Sequence, residues 1–210
     1  TFSWGQFGTT SSSTRITSVC SWPAAAAVAS VVGGGRMDLY EVGEELRRAQ
    51  AEFHQLVGTA SRGDLERLTN GTRWTNRQLL FHMVLGYGVV RTLLSLVRTL
   101  DRLGYSRGFA AALNAAHRPF HAINYLGPCL AARLLSPHAM TALLDTVIGS
   151  LQRRLTTETE RSLASSIYVP TDWDPYFTPT MSVLDVYHFG TQHFDHHRRQ
   201  LTIAAPHTQS

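Results

Sequence analysis

Lysine is absent from this chain of 210 residues, and cysteine and acidic residues are scarce. Its 19 basic side chains are therefore all arginine, set against 15 acids, for a formal net charge of +4. Residues 1–36 hold two of those arginines, Arg15 and Arg36, and no acid. The remainder thus carries 17 arginines (19 − 2) against the 15 acids, or +2. That is no basic patch, so nucleic-acid binding is not expected. The only cysteines, Cys20 and Cys129, cannot build a disulfide framework or a paired-cysteine metal motif. A reducing, cytoplasmic setting is the expectation. The longest apolar run, Leu79–Val97, is interrupted by His82 and Arg91, so it reads as a buried bundle helix and not as a membrane span.

Two familiar metal motifs are missing as well. Phe194, not glutamate, follows His193, which excludes the helical zinc-protease signature. No Glu-x-x-His occurs anywhere, so a ferritin-like di-iron centre has no support.

Residues 1–36 pass from Ser/Thr-rich to Ala-rich sequence and end at Gly33-Gly34-Gly35-Arg36. They show no helical periodicity. Amphipathic sequence begins at Met37. We expect a non-domain leader over 1–36 (upstream read-through or disorder), a domain over 37–205 and a tail over 206–210. A secretion signal is the rival for the leader, with Arg15 ahead of apolar Ala24–Val32. Its apolar core is short and its polar lead long.

The domain reads as all-α. Leu39, Val42, Leu46, Phe53 and Val57 give helix one one apolar stripe over about Leu39–Val57. A helical turn near Asp64–Leu68 follows. Thr75 and Gln78 form a capping-box pattern that starts helix two, Asn76 to Leu103. Residues 105–135 are apolar but punctuated by Gly108, Pro119 and Gly127-Pro128, which predicts short helical pieces. Ser136-Pro137 opens helix three, to about Ser165, with Leu143, Leu144, Val147, Leu151 and Leu155 inward. Ile167–Pro179 reads as an irregular aromatic loop, and Ser182 with Asp185 opens helix four, to about Ile203.

What the chain does have is histidine, ten in all. His193 and His197 lie one helical turn apart, where two imidazoles can hold one ion. On a wheel of about 100° per residue they share the inward face of helix four with Val186, Gly190 and Gln200. His188 falls on the opposite side and His196 on the flank. His82 shares an inward face of helix two with Leu79, Gly86, Val89 and Leu93. The three meet only if helices two and four run antiparallel. The link of roughly thirty residues between helices two and three, far longer than usual, permits that as an up-down-down-up bundle with a long helical crossover. Gly86 and Gly190 would then leave room beside the ligands. His54, Trp74 and the Trp173–Phe177 loop would lie near the site mouth, and His121, in the crossover, could line the cavity. His117 and His138 read as surface or packing residues, and Cys129 as a small buried hydrophobe.

Two segments, Trp74-Thr75-Asn76-Arg77-Gln78-Leu79-Leu80-Phe81-His82 and Thr191-Gln192-His193-Phe194-Asp195-His196-His197-Arg198-Arg199-Gln200-Leu201, resemble the DinB/YfiT-like superfamily of metal-binding proteins. The likeness spans most of 37–203, including Trp173-Asp174-Pro175-Tyr176-Phe177. It implies an up-down-down-up four-helix bundle, with His82, His193 and His197 as ligands of a divalent metal: zinc first, nickel or iron next. It implies an enzyme that activates water or a low-molecular-weight thiol. Members include mycothiol- and bacillithiol-dependent S-transferases, a mycothiol-dependent maleylpyruvate isomerase and the metal-binding domain of ergothioneine-pathway sulfoxide synthases. The synthases carry His-x-x-x-His-x-Glu, whereas Arg199 stands at the Glu position here. A small electrophile and a thiol are the expected partners, with a homodimer as a further expectation. The competing reading is a non-catalytic protein that binds a metal or a stress ligand and dimerises through the apolar crossover Phe109–Leu135.

Overall fold

A computed structural model of the chain describes residues 34–103, 117–169, 171 and 174–203. Helix α1 spans Gly34–Thr59, α2 Arg62–Glu66, α3 Asn76–Leu103, α4 His117–Leu134, α5 Pro137–Leu155 and α6 Glu160–Ala164. Strands β1, Ser166–Tyr168, and β2, Thr180–Ser182, precede α7, Val183–Arg198. The long helices α1, α3, α5 and α7 form a four-helix bundle.

Each bundle helix buries the stripe its periodicity sets. Val42, Leu46, Ala49 and Phe53 of α1 meet Leu144, Ile148 and Leu151 of α5. Leu80, Met83, Tyr87, Val90 and Leu94 of α3 join them, with Val186, Tyr187 and Phe194 of α7. Burying one such large apolar side chain contributes about 1.5–3 kcal/mol, so these stripes dominate the stability of the bundle.

Cross-helix pairs fix the helix directions. Glu45 with His188, Arg48 with Asp195 and Glu52 with Arg198 advance in step, so α1 and α7 run parallel. Arg77 donates to the Leu135 carbonyl at one end, and Arg154 donates to the Leu94 carbonyl at the other, so α3 and α5 run parallel. His82, early in α3, meets His193 and His197, late in α7, so those two helices run antiparallel.

Several boundaries differ from the sequence reading. Helix α1 begins at Gly34, upstream of Met37; glycine is tolerated there because first-turn N–H groups need no intrahelical partner. The expected leader otherwise, and the tail 206–210, lie outside the described residues. In the described part of the crossover, His117–Leu134 form one helix past Pro119 and Gly127-Pro128; residues 104–116 lie outside the described residues. Pro119 sits in its first turn, where a missing N–H costs nothing. Pro128 is interior and buried, and packing of α4 on α3 carries the helix past it. Helix α5 stops at Leu155, short of Ser165. Thr156 and Thr157 hydroxyls take up the Arg153 and Arg154 carbonyls, and Thr159 with Ser162 caps a new helix, α6. Leu143, expected inward, is 39% exposed. The aromatic loop is bracketed by an antiparallel strand pair, Ile167 opposite Met181, which the turn-rich sequence concealed. Helix α7 ends at Arg198, and the chain then runs back along the start of α3.

That return is held by Asn76, which is fully buried. Its amide donates to the Asp64 carbonyl and to Thr202 Oγ1, and its oxygen accepts the Thr202 N–H. Asn70 N–H donates to the Gln200 carbonyl at 2.8 Å, beside Gly71, whose φ of 75° suits glycine. The start of α3 and the end of α7 are thereby locked together. Helix α3 is also long and apolar enough to cross a membrane by composition. It is the central helix here, packed against α4, α5 and α7.

Candidate metal centre

The lock brings three imidazoles together. Ring centroids of His82 and His193 lie 5.0 Å apart, of His82 and His197 4.7 Å, and of His193 and His197 4.5 Å. One nitrogen from each lies within 4.8 Å of the others. All three residues are buried, at 2%, 6% and 2% exposure.

Their neighbours fix which nitrogen faces inward. His193 Nδ1 lies 3.1 Å from Asp174 Oδ2, and His197 Nδ1 lies 2.7 Å from Gln200 Oε1. Both partners are acceptors, so each Nδ1 carries the proton and Nε2 is the metal-binding atom each ring offers. Nε2 of His193 is buried and makes no hydrogen bond, an arrangement that costs about 1–3 kcal/mol without a partner. Burial, then the neighbouring imidazoles, hold His82 well below the ordinary histidine range. Burial, then His193, take His197 down to about 3, with Gln200 opposing. Both rings are thus neutral at physiological pH, the form that binds metal. A donor set of three imidazoles suits zinc, nickel or iron(II). The residues fit the ion that the sequence implies.

Gly86 is part of this geometry. A Cβ built there would lie 2.6 Å from His193 Cδ2 and 3.0 Å from its Nε2. The His193 ring therefore lies directly over the α3 backbone, one turn after His82. The space Gly86 leaves is filled by the His193 ring. Gly190 is also filled: its Cβ would meet Tyr87 at 3.0 Å and Val90 at 3.1 Å. It lets α7 approach α3 closely and does not line the cavity.

A cavity of about 50 Å³ opens beside His82 and His193. Leu85, Gly86, Val89 and Leu93 form one wall, and Val169, Phe177 and Phe189 another. Asn124 of α4 and Asp174 add polar groups. Trp74, 4% exposed, tilts against His82 at 4.7 Å and stacks on Tyr125 at 5.8 Å, so α4 is tied to the centre through it.

The other candidates lie elsewhere. His54 faces Asp145 at 2.8 Å in a separate surface hollow that His138 also lines. The α1 stripe turns Phe53 inward, which leaves His54 outward. His188 pairs with Glu45 across the α1–α7 interface. The side chains of His117 and His121, and Trp173, lie outside the described residues. Cys129 is half-buried on α4. His196, on the flank of α7, has its Nδ1 3.3 Å from the Tyr176 hydroxyl and its Nε2 3.4 Å from Gln200 Nε2. Sequence reasoning left Asp174, Gln200 and Asn124 without roles. An acid inside an aromatic loop, and a glutamine three residues beyond a histidine, are the signals from which the first two could have been found.

The fold and this cluster define a four-helix-bundle protein with a three-histidine centre built between antiparallel helices. The sequence profile of the DinB superfamily matches residues 45–201, and the chain belongs to that superfamily. Its structure is similar to that of YfiT from Bacillus subtilis, with a TM-score of 0.57 over 86% of this chain and 90% of that one at 15% identity. That protein is described as a probable metal-dependent hydrolase with an unusual four-helix bundle topology. At this identity the likeness establishes the fold. No curated protein sequence matches the chain.

Proposed function

We propose that this protein is a divalent-metal-dependent enzyme that activates water or a small thiol for attack on a small electrophile. The observation that carries the reading is the oriented pair, His193 on Asp174 and His197 on Gln200, with one ring nitrogen of each within 4.8 Å of one from His82 beside an apolar cavity. When bound, such an ion lowers the pKa of water or of a thiol, so that the nucleophile exists near neutral pH. His82, His193 and His197 would hold it. Asp174 and Gln200 fix the tautomers, and the wall formed by Leu85, Val89 and Phe189 excludes bulk water from the reacting atoms. The description of YfiT as a metal-dependent hydrolase supports the water branch, and the family resemblance supports the thiol branch.

The test is turnover of an activated ester, and separately of a thiol with a maleimide-type electrophile, by zinc-, nickel- and iron(II)-loaded protein. Metal-dependent turnover in either, lost in His193→Ala, is expected. Equal rates for loaded wild type and His193→Ala would refute the reading. Metal uptake without turnover in either assay would leave a binding protein and refute the catalytic claim.

A further inference from the structure

The cavity beside the three histidines is chemically one-sided. Its aliphatic wall comes from α3 and its aromatic wall from Phe177 and Phe189. Among the described residues its polar groups are Asn124, Asp174 and the two imidazoles, and no arginine lines it. Asp174 is 8% exposed, and its two oxygens face the His193 imidazole and the Tyr176 N–H, with no cationic side chain at hydrogen-bond distance among the described residues.

A divalent ion would bring two positive charges, and an ionised reacting atom would answer part of them. A carboxylate elsewhere on the reactant would enter a largely apolar enclosure that already holds the Asp174 carboxyl group and offers no arginine among the described residues. Buried there without a counter-charge, it would be costly.

We propose, resting on the metal-dependent reading above, that this cavity selects reactants whose group next to the reacting atom is compact and uncharged, a branched alkyl or carboxamide, and rejects carboxylates. Asn124 supplies a side-chain amide able to meet a carboxamide. Asp174 is a specificity determinant as well as the positioning residue for His193.

Three thiols of one skeleton test this: 3-methylbutane-1-thiol, 3-mercaptopropionamide and 3-mercaptopropionate. Each is titrated into cobalt(II)-loaded wild-type protein, and binding is read from the visible absorption of the cobalt, corrected for each thiol's own acidity. Both neutral thiols are expected to bind at least about tenfold more tightly than the carboxylate. In cobalt-loaded Asp174→Asn, which lacks the acidic group facing the cavity, the gap is expected to shrink by about the same factor. A carboxylate that binds wild type as tightly as its neutral counterparts would overturn the proposal. So would an unchanged gap in the Asn variant. Failure of wild type to take up cobalt is a different result: it removes the metal-dependent reading itself and this inference with it.

Discussion

Replacing Gly86 by alanine should separate metal binding from folding. The new methyl would lie 2.6 Å from His193 Cδ2, about 1 Å inside ordinary carbon–carbon contact of about 3.5–4.0 Å. It cannot move, because it is fixed to the α3 backbone. His193 must therefore swing off Gly86, or α7 must retreat from α3. Overpacking of this kind costs about 1–3 kcal/mol. Alanine returns about 1 kcal/mol through its helix propensity, so the metal-free protein should lose at most about 2 kcal/mol. Metal affinity should suffer more, because a displaced His193 loses both its aim and its bond to Asp174. A fall of about tenfold to a hundredfold is expected, as for loss of supporting contacts at other metal sites. Gly88→Ala is the control: nothing lies within 4 Å of its Cβ, so it gains propensity without touching the centre. Zinc affinity is measured by chelator competition and stability by urea unfolding in EDTA. If Gly86→Ala binds zinc as tightly as Gly88→Ala, the placement of His193 over Gly86 is wrong.

Three further outcomes follow from the same structure. Asp174→Asn and Gln200→Ala should each weaken zinc binding by about tenfold to a hundredfold, with little change in far-UV circular dichroism; unchanged chelator competition would deny them a supporting role. Zinc at a hundred times its dissociation constant should stabilise wild type by about 2.7 kcal/mol against unfolding and leave His193→Ala nearly unaffected, as read by urea titration. The third concerns Glu158, where burial alone would raise the carboxyl pKa, but hydrogen bonds from Ser162 and Arg98, with Arg154, outweigh it and hold it low. Its folded pKa lies below its unfolded one, so its contribution is present above about pH 4.3 and fades as pH falls through the lower, folded value. The stability gap between wild type and Glu158→Gln, measured in EDTA, should therefore be full at pH 6 and close in acid. A gap that widens in acid would contradict the assignment.

Much of this architecture was legible because it follows from periodicity. The stripe from Val42 to Phe53 needs only a helix with one buried face, and Thr75 with Gln78 marks the start of α3 by its own hydrogen bonds. The inward direction of His82, His193 and His197 follows from the same spacing. What escaped the sequence depends on contacts between distant segments. Pro128 does not break α4 because α3 supports it, which no local rule contains. Gly86 and Gly190 both read as empty space, yet one is filled by His193 and the other by Tyr87 and Val90. Asp174 becomes a partner of His193 only once the strand pair Ser166–Tyr168 with Thr180–Ser182 folds the aromatic loop back. His54 was placed near the site by helix end alone, whereas its facing decides its partner, Asp145.

The central claim is that His82, His193 and His197 jointly hold one divalent ion, and elemental analysis tests it most directly. Wild type and His82→Ala are purified without chelator, dialysed against metal-free buffer, and analysed for zinc, nickel and iron per chain. The account predicts close to one ion per chain in wild type and a small fraction of that in a folded His82→Ala. Equal metal in both proteins, or none in wild type after reconstitution with each metal in turn, would contradict it.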